Sequence, residues 1–230
     1  MTTLRIILWD IDGTLLHSGG AGETAIARAA RELYGQELSL QELDYRGRTD
    51  SLIVRQIFSR FHIPWNEENV ARFRNCYLQH LGGEISRSPG RVLPGVERLL
   101  SAIQERTGWR QGLLTGNFEH GARIKLDHFG LGRFFSFGAF GDRSECRNEL
   151  ARSAMELLRQ RWGESVTAKQ VFLIGDTPHD VLCAQAIGAY SIAVATGGYC
   201  LSELAGCRPT MLLPDLEQFE PLLALVKGHS

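Results

Sequence analysis

The sequence predicts an α/β protein, a mostly parallel sheet flanked by helices, with an all-helical segment inserted over residues 17–87. Three observations predict it. Short continuous apolar runs recur along the chain, as strands buried on both faces require. Helical patterns separate those runs, which is how parallel strands are connected. The rhythm breaks once, between the first run and the second, where no convincing strand occurs.

The strongest strand signal is Leu4 to Trp9, apolar and β-branched. After it, Gly19-Gly20-Ala21-Gly22 leads into three helical stretches, Glu23 to Tyr34, Asp50 to Phe61 and Asn66 to Leu81. Leu52, Ile53, Ile57 and Phe58 form an apolar stripe at helical spacing. Ser88-Pro89-Gly90 closes the segment, so a Gly-rich hinge and a Pro-Gly hinge bound a cap domain over 17–87. The core then comprises 1–16 and 88–230. Its strands are Gln111 to Leu114, Phe134 to Phe137 (the weakest), Val171 to Ile174, Ser191 to Val194 and an edge strand at Thr210 to Leu213. Its helices are Val96 to Glu105, His120 to His128, Asn148 to Gln160 and Asp180 to Ile187.

Composition narrows the function. Lys plus Arg number 25 and Asp plus Glu 26, so the net charge is −1 and no global basic field exists to hold nucleic acid or an anionic membrane. Any anion must be bound locally. The apolar run Ile6 to Trp9 is too short to span a bilayer and lacks the pattern of a signal peptide. A cytoplasmic protein is expected. Five cysteines, an odd number without zinc-knuckle spacing, read as reduced thiols.

Ligands bind at the carboxyl ends of strands in open parallel sheets. The first strand is followed by Asp10-Ile11-Asp12-Gly13-Thr14, the second by Thr115-Gly116-Asn117 and the fourth by Gly175-Asp176-Thr177-Pro178-His179-Asp180. Three strands thus deliver Asp10, Asp12, Asp176, Asp180 and a hydroxyl to one edge. Such carboxylates repel each other unless a cation neutralises them, and hard oxygen donors suit Mg²⁺. Phosphoryl transfer also needs donors and positive charge for the phosphoryl oxygens. Thr115, the amide of Gly116, Asn117 and a cation after the third strand are the candidates. Arg147, opening the next helix, is the preferred cation, and Arg143 competes with it. Of the pair Asp10 and Asp12, one carboxylate can attack phosphorus while the other serves the leaving oxygen and then water.

The motifs WDIDGT (Trp9 to Thr14), LLTGN (Leu113 to Asn117) and GDTPHD (Gly175 to Asp180) resemble those of the haloacid dehalogenase superfamily. The helical segment resembles the cap of its subgroup containing phosphoglycolate phosphatases and β-phosphoglucomutase. The resemblance implies a Rossmann-like core and a Mg²⁺-dependent phosphatase acting on a small phosphorylated metabolite as a monomer or homodimer. It implies Asp10 as nucleophile and metal ligand, and Asp12 as general acid/base with its carbonyl on the metal. It also implies that Thr115 holds the phosphoryl group, Asp176 ligates the metal and Asp180 supports the metal site. The family usually has Lys as its third motif; here no Lys lies between Lys125 and Lys169, and Arg147 would replace it. A phosphomutase shares Asp12 and stays open as the alternative. Dehalogenases lack the second Asp, so Asp12 argues against that chemistry, and the intact Asp set argues against a non-catalytic binding protein.

Arg46-Gly47-Arg48-Thr49-Asp50 precedes the second cap helix. Two arginines around a glycine suit a carboxylate or second phosphate, which points to a small anionic substrate. The competing reading is a solvated turn with Asp50 as N-cap. His17, His120, His128 and His179 are read as non-ligands, His179 lying nearest the metal loop.

Overall fold

The computed structural model describes residues 4–142 and 144–228. All five residues of the first strand, β1 (Arg5–Trp9), are buried, and it occupies the middle of the sheet. Even Arg5 is enclosed, its Nε donating to the carbonyl of Val226 at 3.0 Å. In chain order there follow β2 (Leu16–His17), α1 (Ala21–Tyr34), α2 (Asp50–Arg60), α3 (Glu67–Glu84) and β3 (Arg91–Val92). Next come α4 (Val96–Gln104), β4 (Trp109–Thr115), α5 (Glu119–His128), β5 (Gly138–Phe140) and α6 (Arg147–Trp162). The chain ends with β6 (Val171–Gly175), α7 (Pro178–Ile187), β7 (Tyr190–Val194), α8 (Leu201–Gly206), β8 (Met211–Leu213) and α9 (Glu220–Gly228).

The main sheet has six parallel strands in the order β5-β4-β1-β6-β7-β8. The chain winds from β1 toward β5, then returns to lay β6 on the other side of β1. The order therefore reverses at β1, and a crevice opens beyond the carboxyl ends of β1, β4 and β6. Apolar layers cover both faces. Ile7 and Trp9 of β1 face one, with Leu99, Leu100 and Leu126; Ile6 and Leu8 face the other, with Leu150, Ala154 and Leu158.

Helices α1 to α3 build a cluster of their own around Ile26, Ile57, Phe58, Phe73 and Tyr77, which also takes in Phe118 of the core. The insert leaves and rejoins the core through a two-stranded antiparallel ribbon, with Leu16 opposite Val92 and His17 opposite Arg91. Two-residue strands leave no period to detect in the sequence. The weak strand expected over Phe134 to Phe137 is displaced: Gly132–Phe134 is a 3₁₀ turn and the strand is Gly138–Phe140. Phe134 and Phe135 are buried in the layer that holds Ile7 and Trp9, and Phe137 in the opposite layer with Ile6 and Leu8, rather than as strand residues. A short apolar run alone does not distinguish the two.

Candidate active site

β1 ends at Trp9, and the next residues turn back sharply. Gly13 adopts φ +81°, a left-handed conformation that costs glycine little. A side chain there would also run into the carboxylate of Asp176. The turn leaves Asp10 buried at the sheet edge, whereas the Asp12 side chain is 40% exposed and opens on the crevice. Two carboxylates two residues apart thus acquire different surroundings. Burial, reinforced by the nearby Asp180 charge and only partly offset by Arg147 and Thr115, raises Asp10 to about 6. Around Asp12, burial is outweighed by the charge of Lys125 and by hydrogen bonds from Lys125 and Asn117, and the carboxyl is held below its usual value.

β4 ends at Thr115, fully buried. Asn117 Nδ2 donates to Thr115 Oγ1 at 2.9 Å and to Asp12 Oδ2 at 2.9 Å. Lys125, on α5, completes this group: its Nζ donates to Asp12 Oδ2 at 2.5 Å and to Asn117 Oδ1 at 2.6 Å. Lys125 is not among the residues the motifs identify. Its signal lies in the helix period, because the buried positions of α5 are Gly121, Ala122, Lys125 and Leu126, and a lysine on that inward stripe needs a partner.

Asp176 follows β6, its Oδ1 accepting from Thr14 Oγ1 at 2.9 Å. Asp180 lies at the third position of α7, where its Oδ2 accepts from Thr177 N at 3.0 Å and Thr177 Oγ1 at 2.7 Å. This is a capping box. Its Oδ1 accepts from Arg147 Nη2, which also lies 3.5 Å from Asp10 Oδ2. Arg147 is therefore buried against two of the carboxylates, and its Nε is enclosed without a hydrogen-bond partner among the described residues. Burial opposes its charge, but Asp180 and Asp10 outweigh that and raise its pKa. Arg143, the other sequence candidate, lies outside the described residues.

The insert is docked on this edge. Gly47, at φ +68°, rests where a Cβ would come within 2.7 Å of Thr177 Oγ1, and its carbonyl accepts from Arg147 Nη1 at 3.3 Å. Asp50 N donates to Gly116 O at 2.7 Å, Asp50 Oδ2 accepts from Phe118 N at 2.8 Å, and Ser51 Oγ donates to Gly141 O at 2.6 Å. The N-cap of α2 is Thr49, not Asp50; Asp50 spends its carboxylate across the interface on the start of α5. Burial raises Asp50 to about 6 despite the Lys125 charge. Between insert and core lies a cavity of about 550 Å³, onto which Asp10, Asp12, Lys125, Arg147 and Asp176 open. Arg46 and Arg48 also line it, but Arg48 is bound by Asp44 through Nε at 2.9 Å and through Nη2. His179 is half-buried beside this loop, where burial, then Arg48 and Arg147, lower its pKa.

Ligand oxygens of Asp10, Asp176 and Asp180 lie within 4.8 Å of one another. Burial, followed by the charges of Asp180 and Asp10, pushes Asp176 well above the carboxylate range. Arg147 alone does not balance this group. An oxygen-only donor set with excess negative charge fits a hard divalent cation.

A parallel sheet with a carboxylate cluster beyond its strand ends can serve several chemistries; the comparison with known families fixes the class, since residues 4–188 match the haloacid dehalogenase-like hydrolases. The chain belongs to that family. It is 27% identical over 222 residues to the phosphoglycolate phosphatase of Vibrio cholerae, covering 94% of this chain and 95% of that protein. Among solved structures, a β-phosphoglucomutase from Clostridium difficile superposes with a TM-score of 0.73 at 16% identity, over 99% of both chains. A hydrolase from Pseudomonas syringae gives a TM-score of 0.72 at 18% identity, over 97% of this chain and 99% of that one. These two likenesses bear on the fold.

Proposed function

We propose that the chain is a Mg²⁺-dependent phosphatase that hydrolyses a small phosphate monoester through an aspartyl phosphate on Asp10, with the insert acting as a cap. The observation that carries this reading is the unequal pair. Asp10 is buried between Arg147 and Thr115, while Asp12 opens on the cavity. That division suits one nucleophile and one proton carrier.

A phosphoryl group at the sheet edge meets the Asp10 carboxylate, the Thr115 hydroxyl and the Arg147 guanidinium. An Asp10 oxygen forms the bond to phosphorus as the ester oxygen–phosphorus bond breaks, and Asp12 gives its proton to the departing oxygen. The phosphoryl charge arriving beside Asp12 offsets Lys125 and raises the carboxyl's affinity for that proton. Water then attacks phosphorus, Asp12 takes its proton, and Asp10 is released with inorganic phosphate. Asp10, Asp176 and the Asp12 carbonyl would hold Mg²⁺, which when bound supplies neutralising charge for the phosphoryl oxygens. Asp180, committed to Thr177 and Arg147, supports that set from the side.

The Vibrio relative favours phosphoglycolate or a similar phosphorylated acid. A sugar phosphate, and with it a phosphomutase reaction, is the second reading. The cavity of about 550 Å³ has Glu23 and Asp50 on its wall, and these are acceptors for hydroxyl groups. A panel of phosphate esters assayed with Mg²⁺ decides. Phosphoglycolate should lead in kcat/KM; preference for a hexose phosphate, with phosphate retained on the sugar, would establish the mutase, and no Mg²⁺-dependent turnover of any ester would end both readings.

A further inference from the structure

A lysine inside a protein is costly unless its charge is answered. Leu or Met would fill the Lys125 position on α5 as well, since its helical neighbours Ala122 and Leu126 are packed in the apolar core. What answers the charge is a closed triangle. Lys125 Nζ donates to Asp12 Oδ2 and to Asn117 Oδ1, and Asn117 Nδ2 donates to the same Asp12 oxygen. The ammonium fixes which way round the Asn117 amide sits, because only Oδ1 can accept from it. The amide is thereby committed to give its Nδ2 protons to Asp12 and to Thr115 Oγ1. The triangle thus ties the carboxylate at the end of β1 to the hydroxyl at the end of β4.

Resting on the phosphatase reading above, we propose that Lys125 is a positioning residue for Asp12: together with Asn117 it pins Oδ2 and leaves Oδ1 as the oxygen that exchanges the proton with the leaving group. Lys125 acts through Asp12, not on the phosphoryl group, which lies at Asp10, Thr115 and Arg147. Its loss should therefore matter most when the leaving oxygen needs a proton. The short insert-to-core bond from Phe118 N to Asp50 Oδ2, one residue before α5 begins, keeps the start of that helix and the docked insert in register with the triangle.

The test compares a simple alkyl phosphate with p-nitrophenyl phosphate, whose leaving group departs without a proton. Lys125→Met should reduce kcat on the alkyl ester at least about 30-fold more than on the aryl ester, within the range of a general-acid contribution. Lys125→Arg should recover part of the loss. Asp12→Asn and Lys125→Met/Asp12→Asn should be equally impaired on the alkyl ester, since removing the positioner costs nothing once the positioned group is gone. The double variant removes the Asp12 charge together with the ammonium that answers it, so it keeps the test valid if Lys125→Met alone folds poorly. Equal losses on both esters, or additive losses in the double variant, would overturn the role and leave the phosphatase reading intact. Absence of Mg²⁺-dependent turnover of any phosphate ester by the unmodified protein would remove that reading and the role with it.

Discussion

Arg147 answers two buried carboxylates at once, which makes its removal informative. Its side chain is 6% exposed, and those of Asp10 and Asp180 are 7% and 2% exposed. Deleting one partner of a buried ion pair strands the other charge, at a cost of about 3–5 kcal/mol. In a chain of 230 residues each kcal/mol moves the melting temperature by roughly 2–4 °C, so Arg147→Met should melt roughly 6–20 °C lower in chelator. Mg²⁺ should recover part of that loss, because it binds the folded state and neutralises the same carboxylates. Arg147→Lys keeps the charge, yet one ammonium cannot serve Asp10, Asp180 and the Gly47 carbonyl as the guanidinium does. It should fall between the two. Turnover of p-nitrophenyl phosphate should drop about 10²–10³-fold in the Met variant, as for loss of a group that stabilises transition-state charge. Thermal melts with and without Mg²⁺, beside initial rates, read all of this. A Met variant melting within about a degree of the parent in chelator would refute the electrostatic account.

Other outcomes follow from the same surroundings. Asp176→Asn should melt at or above the parent without metal, since it removes a carboxyl whose ionisation burial and its neighbours oppose and keeps an acceptor for Thr14, yet lose most of the stabilisation by Mg²⁺; melts across a Mg²⁺ titration check both. Asp50 is raised to about 6 in the fold, so its contribution to stability is full below about pH 4 and is lost as pH rises through 6. Asp50→Asn should therefore gain about 1.4 kcal/mol on the parent between pH 5 and 7.5, measured by urea unfolding in chelator; a constant difference would contradict the raised value. Cys76, pushed up to about 11 by burial and then by Glu32, holds about one thiolate per thousand molecules at pH 8, so iodoacetamide should label exposed Cys146 and Cys200 well before it.

The sheet was legible where apolar runs were long enough to show a period, and β1, β4, β6 and β7 fall within a residue or two of expectation. The carboxylates were legible because a strand, a turn and a polar residue form one short word. What escaped depends on the tertiary fold. Lys125 lies ten residues beyond Thr115, and only the folded α5 brings it to Asp12. Arg48 lines the cavity, but the ion pair that Asp44, four residues earlier, makes with its guanidinium shows only in the folded loop. The second contact of Asp180 is likewise tertiary: beyond capping its own helix through Oδ2, it binds Arg147 through Oδ1.

The central claim is a covalent bond between Asp10 and phosphorus. Rapid acid quench during turnover of a good substrate, followed by peptide mapping, tests it most directly. The account predicts a phosphoryl adduct on the peptide carrying Asp10, located on Asp10 itself, and neither adduct nor turnover in a folded Asp10→Asn variant. An adduct on another residue, or near-normal turnover by that variant, would contradict it.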